Sequence, residues 1–132
     1  MRLAVLIVLA VAPLTSTSTA ADASRNLTYE RDIRPIFRAH CFDCHGATDK
    51  LEGGLDLRLV RFLKKGGETG PAISAGKPDE SFLLTRLRSG EMPPGEDTVP
   101  AEEIAIIEKW IASGANTARP EPESIGPGLG IT

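Results

Sequence analysis

The sequence contains a C-x-x-C-H motif, formed by Cys41, Cys44 and His45, which uses both cysteines of the chain. Cysteines three positions apart on a helical turn project to one side, so that each sulfur reaches one vinyl group of a haem. The adjoining imidazole then lies beneath the iron as its proximal ligand. The motif therefore predicts one covalently bound haem c, attached by thioether links at Cys41 and Cys44 and ligated by His45.

Other interpretations of the motif remain open at this point. Two cysteines in an exported chain also fit a structural or redox disulfide without haem. A thioredoxin-like active site needs a βαβ context, which the sequence pattern does not display. A structural zinc site needs four ligands, and His40, Cys41, Cys44 and His45 are too crowded in sequence to form a closed tetrahedron.

The N-terminus has the pattern of a secretory signal. Arg2 precedes an apolar run from Leu3 to Leu14, and small residues follow the run, as in an exported leader. The run is shorter than the ~20 apolar residues of a transmembrane helix. We predict a signal peptide over residues 1–23, cleaved between residues 20 and 24, and a periplasmic or equivalent extracytoplasmic location. An uncleaved membrane anchor is the alternative.

Met92 is the candidate for the distal iron ligand. It is the only methionine besides the initiator, and it lies in a stretch of glycines and prolines. A thioether is a soft ligand, and the two prolines that follow Met92 stiffen its loop, which reduces the entropy lost on coordination. Packing in the core is the usual role of a lone methionine. His40 is a poor rival because it adjoins Cys41, and Lys64 or Lys77 would need deprotonation.

Helical spacing of the apolar residues predicts four helices, which begin at Tyr29, at Leu59, at Asp79 or Pro78, and at Pro100. Thr28 is the expected N-cap of the first helix, and Pro35 either kinks this helix or begins its regular part. In the third helix, Phe82, Leu83 and Leu87 are expected to share one side.

Composition places the remainder of the chain in one small domain. The mature chain has about 110 residues, and we assign residues 24–117 to a single domain and residues 118–132 to a Pro/Gly-rich tail or linker.

The net charge of −3, from 15 basic and 18 acidic residues, argues against a polybasic nucleic-acid binder. Phe82 and Trp110 are expected to pack in the core or at the haem edge. Arg86 and Arg88 are expected to lie on a solvated helix face, with neutralisation of a haem propionate by one of them as the alternative. No catalytic residues are predicted.

Taken together, the motifs resemble those of class I-type cytochromes c, and more narrowly the planctomycete-type cytochrome c module, the N-terminal haem domain of larger exported proteins. The resemblance runs from about Tyr29 to Ala115 and includes the segments Ile33–Ile36, Gly53–Arg58, Gly66–Gly67, Gly70–Ile73, Gly76–Pro78, Met92–Pro94 and Trp110–Ala115, together with Ser81.

The resemblance implies an all-α, small cytochrome c-like helical fold around one covalently bound haem, with long Gly/Pro-rich loops and with the first and last helices crossing. It implies thioether links at Cys41 and Cys44, with His45 as the proximal and Met92 as the distal iron ligand. Because such modules usually precede larger domains, we hold as a hypothesis that further domains follow Thr132. A reading frame continuous with Thr132 would support this hypothesis.

The expected function is one-electron transfer between redox partner proteins whose identity the sequence does not specify. No nucleic-acid partner and no stable membrane span after signal cleavage are expected, and the chain is expected to be an electron-transfer domain, not itself an enzyme. The alternatives are a haem-based peroxidase or gas-sensing domain with a labile Met92, the haem module of a truncated larger oxidoreductase, or a disulfide module without haem.

Overall fold

A computed structural model of the chain describes residues 25–47 and 49–126, so the predicted signal peptide and the end of the tail lie outside the described residues. The described part contains five α-helices and no strand. These are α1 (Arg34–His40), α2 (Phe42–His45), α3 (Val60–Lys65), α4 (Phe82–Ser89) and α5 (Ala101–Ala112). A π-helical turn at Tyr29–Ile33 and 3-10 turns at Glu52–Gly54 and Pro78–Glu80 complete the helical elements. The helical architecture agrees with the predicted all-α class.

The first predicted helix consists of two parts. The π-helical turn ends at Ile33, and α1 follows with Pro35 in its first turn, where the missing N–H of proline removes no helical hydrogen bond. Pro35 therefore lies at the start of the regular part. Thr28 occupies the N-cap position, as predicted, but its side chain makes no capping hydrogen bond. Instead, the Thr28 N–H donates to Asp32 Oδ2 at 2.7 Å.

The helix predicted from Asp79 is divided at Ser81. This buried residue separates the 3-10 turn from α4, and its hydroxyl oxygen accepts the Ser74 N–H at 3.0 Å. The buried face of α4 consists of Leu83, Leu84 and Leu87, whereas Phe82 is 39% exposed. Phe82, Leu83 and Leu87 nevertheless border the same cavity, so they share one side of the helix as predicted.

The core joins the first helical segment to the last. Trp110 on α5 is fully buried, as predicted, and its indole Nε1–H donates to the Asn116 carbonyl at 2.9 Å. The Tyr29 N–H donates to the same carbonyl at 2.9 Å, and the rings of Tyr29 and Trp110 lie 6.0 Å apart. The other large, fully buried side chains are Phe37, Phe42, Ile33, Leu57, Leu63, Leu84, Ile107 and Ile111. These apolar groups hold the short helices together.

Part of the segment after Ala118 also packs against the domain. The Glu121 carboxylate accepts the Val60 and Arg61 backbone N–H groups, the latter at 3.1 Å, and so caps α3. The Ala118 N–H donates to Glu30 Oε2 at 2.6 Å. Residues 118–121 are therefore bound to the fold, although the assignment of residues 118–132 as a tail or linker remains a prediction. Within residues 25–47 and 49–126, no helix has the length and apolar character needed to cross a bilayer.

Candidate cofactor site

Three of the four predicted site residues line one cavity of about 260 Å³. Cys41 and His45, both from the C-x-x-C-H motif, line this cavity, and Met92 lines it from the segment after α4. Cys44 lies in the same helical turn as His45, but it is exposed and does not line the cavity. Most of the remaining wall is apolar and includes Leu55, Leu57, Ala72, Leu83 and Leu87.

The motif folds as a helical turn that begins directly after α1. The Cys41 N–H donates to the Phe37 carbonyl at 2.8 Å, and the Cys41 carbonyl accepts the N–H groups of Cys44 at 3.2 Å and of His45 at 2.9 Å. Both thiols are free. Burial raises the pKa of the Cys41 thiol to about 12, with smaller contributions from Cys44 and Glu103. The thiol of Cys41 is therefore neutral at physiological pH.

The His45 ring is oriented by a backbone carbonyl. Its Nδ1 lies 3.2 Å from the carbonyl oxygen of Leu55. Since a carbonyl oxygen only accepts, this contact places the imidazole proton on Nδ1 and leaves the Nε2 lone pair free for a metal. The His45 carbonyl in turn accepts the Leu57 N–H at 2.9 Å, and the Leu57 carbonyl accepts the buried Tyr29 hydroxyl at 2.5 Å. These hydrogen bonds connect His45 to the core.

Met92 is half-buried and lies just beyond the end of α4. Gly90 ends this helix in the left-handed region, with φ of 76°, a conformation that glycine adopts without a steric penalty. The Met92 N–H then donates to the Arg86 carbonyl at 3.3 Å. This hydrogen bond turns the segment back toward α4, so that the thioether side chain lies against the cavity.

The other candidate iron ligands considered in the sequence lie outside this cavity. His40 Nε2 lies 2.8 Å from Glu103 Oε2 of α5, and Lys77 Nζ lies 3.1 Å from the Glu80 carboxylate. Neither of them, nor Lys64, lines the cavity. Met92 is therefore the sequence-predicted distal ligand that the fold brings to the same cavity as His45.

The donor set fits a haem better than a zinc ion. His45 and Met92 line a largely apolar cavity from two separate segments, and an imidazole with a thioether is the ligand pair of His/Met haem ligation. Within the described residues, no three His, Cys, Asp or Glu side chains are grouped to hold a metal, as a structural zinc site would require.

Glycines form the cavity wall where two loops approach each other. A Cβ added at Gly67 would lie 2.2 Å from the Gly53 carbonyl oxygen and 3.0 Å from the Leu55 nitrogen. Leu55 is the residue whose carbonyl orients His45. The absence of a side chain at Gly67 thus permits the backbone contact that supports the His45 ring.

We expect Gly67→Ala to destabilise the domain by about 1–3 kcal/mol, because the new methyl group overpacks a contact between two backbones. Urea denaturation of the matured protein would measure the loss. Gly126→Ala is the matched control, since a Cβ there meets no atom within 4 Å, and its effect should stay within about 0.5 kcal/mol. Equal urea midpoints for the two variants would contradict the proposed backbone contact.

Three site residues are not predicted by the sequence reasoning. Leu55 acts through its backbone carbonyl, for which its side chain gives no signal. Tyr29 is predicted as a helix residue, but not as the donor to the Leu57 carbonyl. Arg86 lines the cavity, and its two expected roles, on a solvated helix face or beside a haem propionate, do not include its contacts with the Met92 segment. The spacing of Phe82 and Arg86 on one helix face is the signal that could have indicated a shared role for Arg86.

A larger cavity, of about 420 Å³, lies between α3 and the segment that follows α5. Its lining includes Arg61, Lys64, Asn116 and Glu121 but none of the four predicted site residues. Because this lining is more polar than that of the smaller cavity, it offers no match to an apolar porphyrin.

Comparison with known proteins gives a match to a family model. Residues 41–96 match the family model described as Planctomycete cytochrome C. This segment includes all four predicted site residues, and the match supports a planctomycete-type cytochrome c module. A cytochrome c module indicates a haem protein with covalently bound haem c. No curated protein and no solved structure matches the chain.

Proposed function

Because the family match supports a planctomycete-type cytochrome c module, we propose that this chain is an exported one-electron carrier. In this proposal one haem c is attached through Cys41 and Cys44, with His45 as the proximal and Met92 as the distal iron ligand. The observation that carries the proposal is the meeting of Cys41, His45 and Met92 at one largely apolar cavity. When bound, the haem supplies an Fe(III)/Fe(II) couple.

The residues of the chain would keep both axial positions filled. The Leu55 carbonyl holds the His45 ring in the tautomer whose Nε2 is free to ligate. The Met92 thioether, whose backbone N–H is held by the Arg86 carbonyl, would serve as the second protein ligand of the iron and so compete with a substrate or gas. A site with two protein ligands changes little in geometry on reduction, which suits electron transfer better than substrate chemistry.

The apolar wall has two further consequences. Leucines from the loop before α3 and from α4 line the cavity and would limit the access of water to a haem bound there, and burial is one of the protein's means of tuning a haem potential. The tight backbone contact at Gly67 limits the freedom of the wall.

Export of the chain is supported by the signal pattern in the sequence and by the extracytoplasmic attachment of haem c in bacteria.

Optical spectra of the protein matured in a host that attaches haem c would test this function. We expect a His/Met spectrum with a weak far-red sulfur-to-iron band in the oxidised state, and carbon monoxide binding to the reduced wild type that is much weaker than binding to a Met92→Ala variant. A potentiometric titration should follow a one-electron slope of about 59 mV per decade. Carbon monoxide binding by the wild type as tight as binding by Met92→Ala would contradict a closed site and favour the peroxidase or gas-sensing alternative. A matured chain that lacks haem would favour the disulfide alternative.

A further inference from the structure

Arg86 contacts both α4 and the segment that carries Met92. Its guanidinium Nη1 lies 2.9 Å from Oε2 of Glu91, the residue directly before Met92. Its backbone carbonyl accepts the Met92 N–H at 3.3 Å. The same residue therefore binds the Met92 segment twice, once through its side chain and once through its backbone.

The side chain of Arg86 is itself held in place. Its Cζ lies 4.6 Å from the centroid of the Phe82 ring, one turn earlier on α4. A planar guanidinium stacked on an aromatic face loses less freedom when it also forms an ion pair. Arg86 lines the cavity and its side chain is 33% exposed, so its charge is less screened than that of a fully solvated arginine. Phe82, Arg86 and Glu91 thus form a continuous series of contacts that ends beside Met92.

We propose that Arg86 is a positioning residue for the distal ligand. This inference rests on the proposed function, because it concerns Met92 as an iron ligand. By holding Glu91, Arg86 keeps the Met92 thioether against the cavity. It would thereby disfavour a form of the protein in which Met92 no longer ligates the iron. Arg86 would thus determine how closed the site is to external ligands without itself contacting the iron.

Arg88 is a matched control on the same helix. It also forms one ion pair, with Glu108 Oε2 of α5 at 2.9 Å, and the two side chains are 43% and 42% exposed. Its partner belongs to another helix and not to the Met92 segment. Arg88→Gln therefore removes the same charge and a comparable ion pair without affecting the hold on Met92.

The experiment compares Arg86→Gln, Glu91→Gln and Arg88→Gln in the matured protein. We expect Arg86→Gln to increase the apparent carbon monoxide affinity of the reduced protein about fivefold, and Glu91→Gln to increase it by a similar or smaller factor, because exposed ion pairs and cation–π contacts are individually weak. The far-red band should weaken in parallel. Arg86→Lys keeps the charge but loses the planar group that stacks on Phe82. Its carbon monoxide affinity and far-red band should therefore lie between those of the wild type and those of Arg86→Gln. Arg88→Gln should leave both signals unchanged.

Hydrogen exchange of the peptide that covers residues 90–95 provides a readout independent of the iron. Faster exchange in Arg86→Gln than in Arg88→Gln is expected, and equal exchange together with equal carbon monoxide affinity would overturn the proposed role of Arg86. A wild type without the far-red band would instead overturn the proposed ligation by Met92. In that case, faster exchange specific to Arg86→Gln would still support Arg86 as the residue that holds this segment.

Discussion

Replacing Cys41 and Cys44 together with alanine is expected to abolish covalent haem attachment. The two thiols are the only cysteine sulfurs in the chain, so the double variant retains no group that can form a thioether link. Haem staining of the denatured protein and the mass of the matured chain would measure the loss. We also expect the double variant to be less stable, since a cofactor bound to the folded state stabilises it by mass action.

The single variants serve as controls for this prediction. Cys41 lines the cavity, whereas Cys44 is exposed. Cys44→Ala therefore removes one link with little change in packing, and Cys41→Ala removes one link and part of the cavity wall. Each single variant should keep a haem attached through the remaining sulfur. Covalent haem that persists in the double variant would contradict attachment at these residues, and a disulfide between the two cysteines of the matured wild type would favour the module without haem.

The local parts of the candidate site could be predicted because their chemistry is contained in short segments. Cys41, Cys44 and His45 lie on one helical turn, and a single turn has few possible geometries. Met92 could be selected because few residues of the chain can act as soft axial ligands and because its loop is stiffened by prolines. That Met92 and His45 line one cavity agrees with this choice.

The supporting contacts could not be predicted because they join segments that are distant in sequence. The Leu55 carbonyl reaches His45 only because the loop before α3 folds back over the motif, and a backbone acceptor is chemically the same at every residue. The sequence places Arg86 on a solvated face or beside a haem propionate, because its helix pattern alone does not show that the segment after α4 returns beside it. Roles of this kind depend on tertiary approach, which periodicity does not encode.

At the starts of the helices, too, residue type alone does not indicate all of the contacts that a side chain makes. Thr28 has the residue type of an N-cap, but Asp32 is close enough to accept the Thr28 N–H, and this side chain-to-backbone contact closes the turn in its place. Phe82 is a large apolar residue that stays 39% exposed, and its ring lies against Arg86 beside the cavity that both residues line. At both positions a contact with a neighbouring side chain, which the residue type alone does not indicate, determines the observed arrangement.

Replacing Met92 with alanine is expected to remove the distal iron ligand and open the site. The far-red band should disappear, the reduced protein should bind carbon monoxide, and the reduction potential should fall, because a thioether ligand raises it. We expect a fall on the order of 100 mV, within the ~0.8 V range that axial ligands span. Absorption spectra and a potentiometric titration of the matured variant would measure these changes.

Met92→Leu separates the loss of the sulfur from the loss of volume. Leucine is similar in size to methionine but cannot ligate iron, so this variant should also lose the far-red band while it leaves the half-buried position filled. Carbon monoxide should therefore bind Met92→Leu more slowly than Met92→Ala. A far-red band that survives in both variants would mean that the distal ligand is another residue. Loss of the band without carbon monoxide binding would mean that a second protein group, such as a lysine amine, replaces Met92 at the iron.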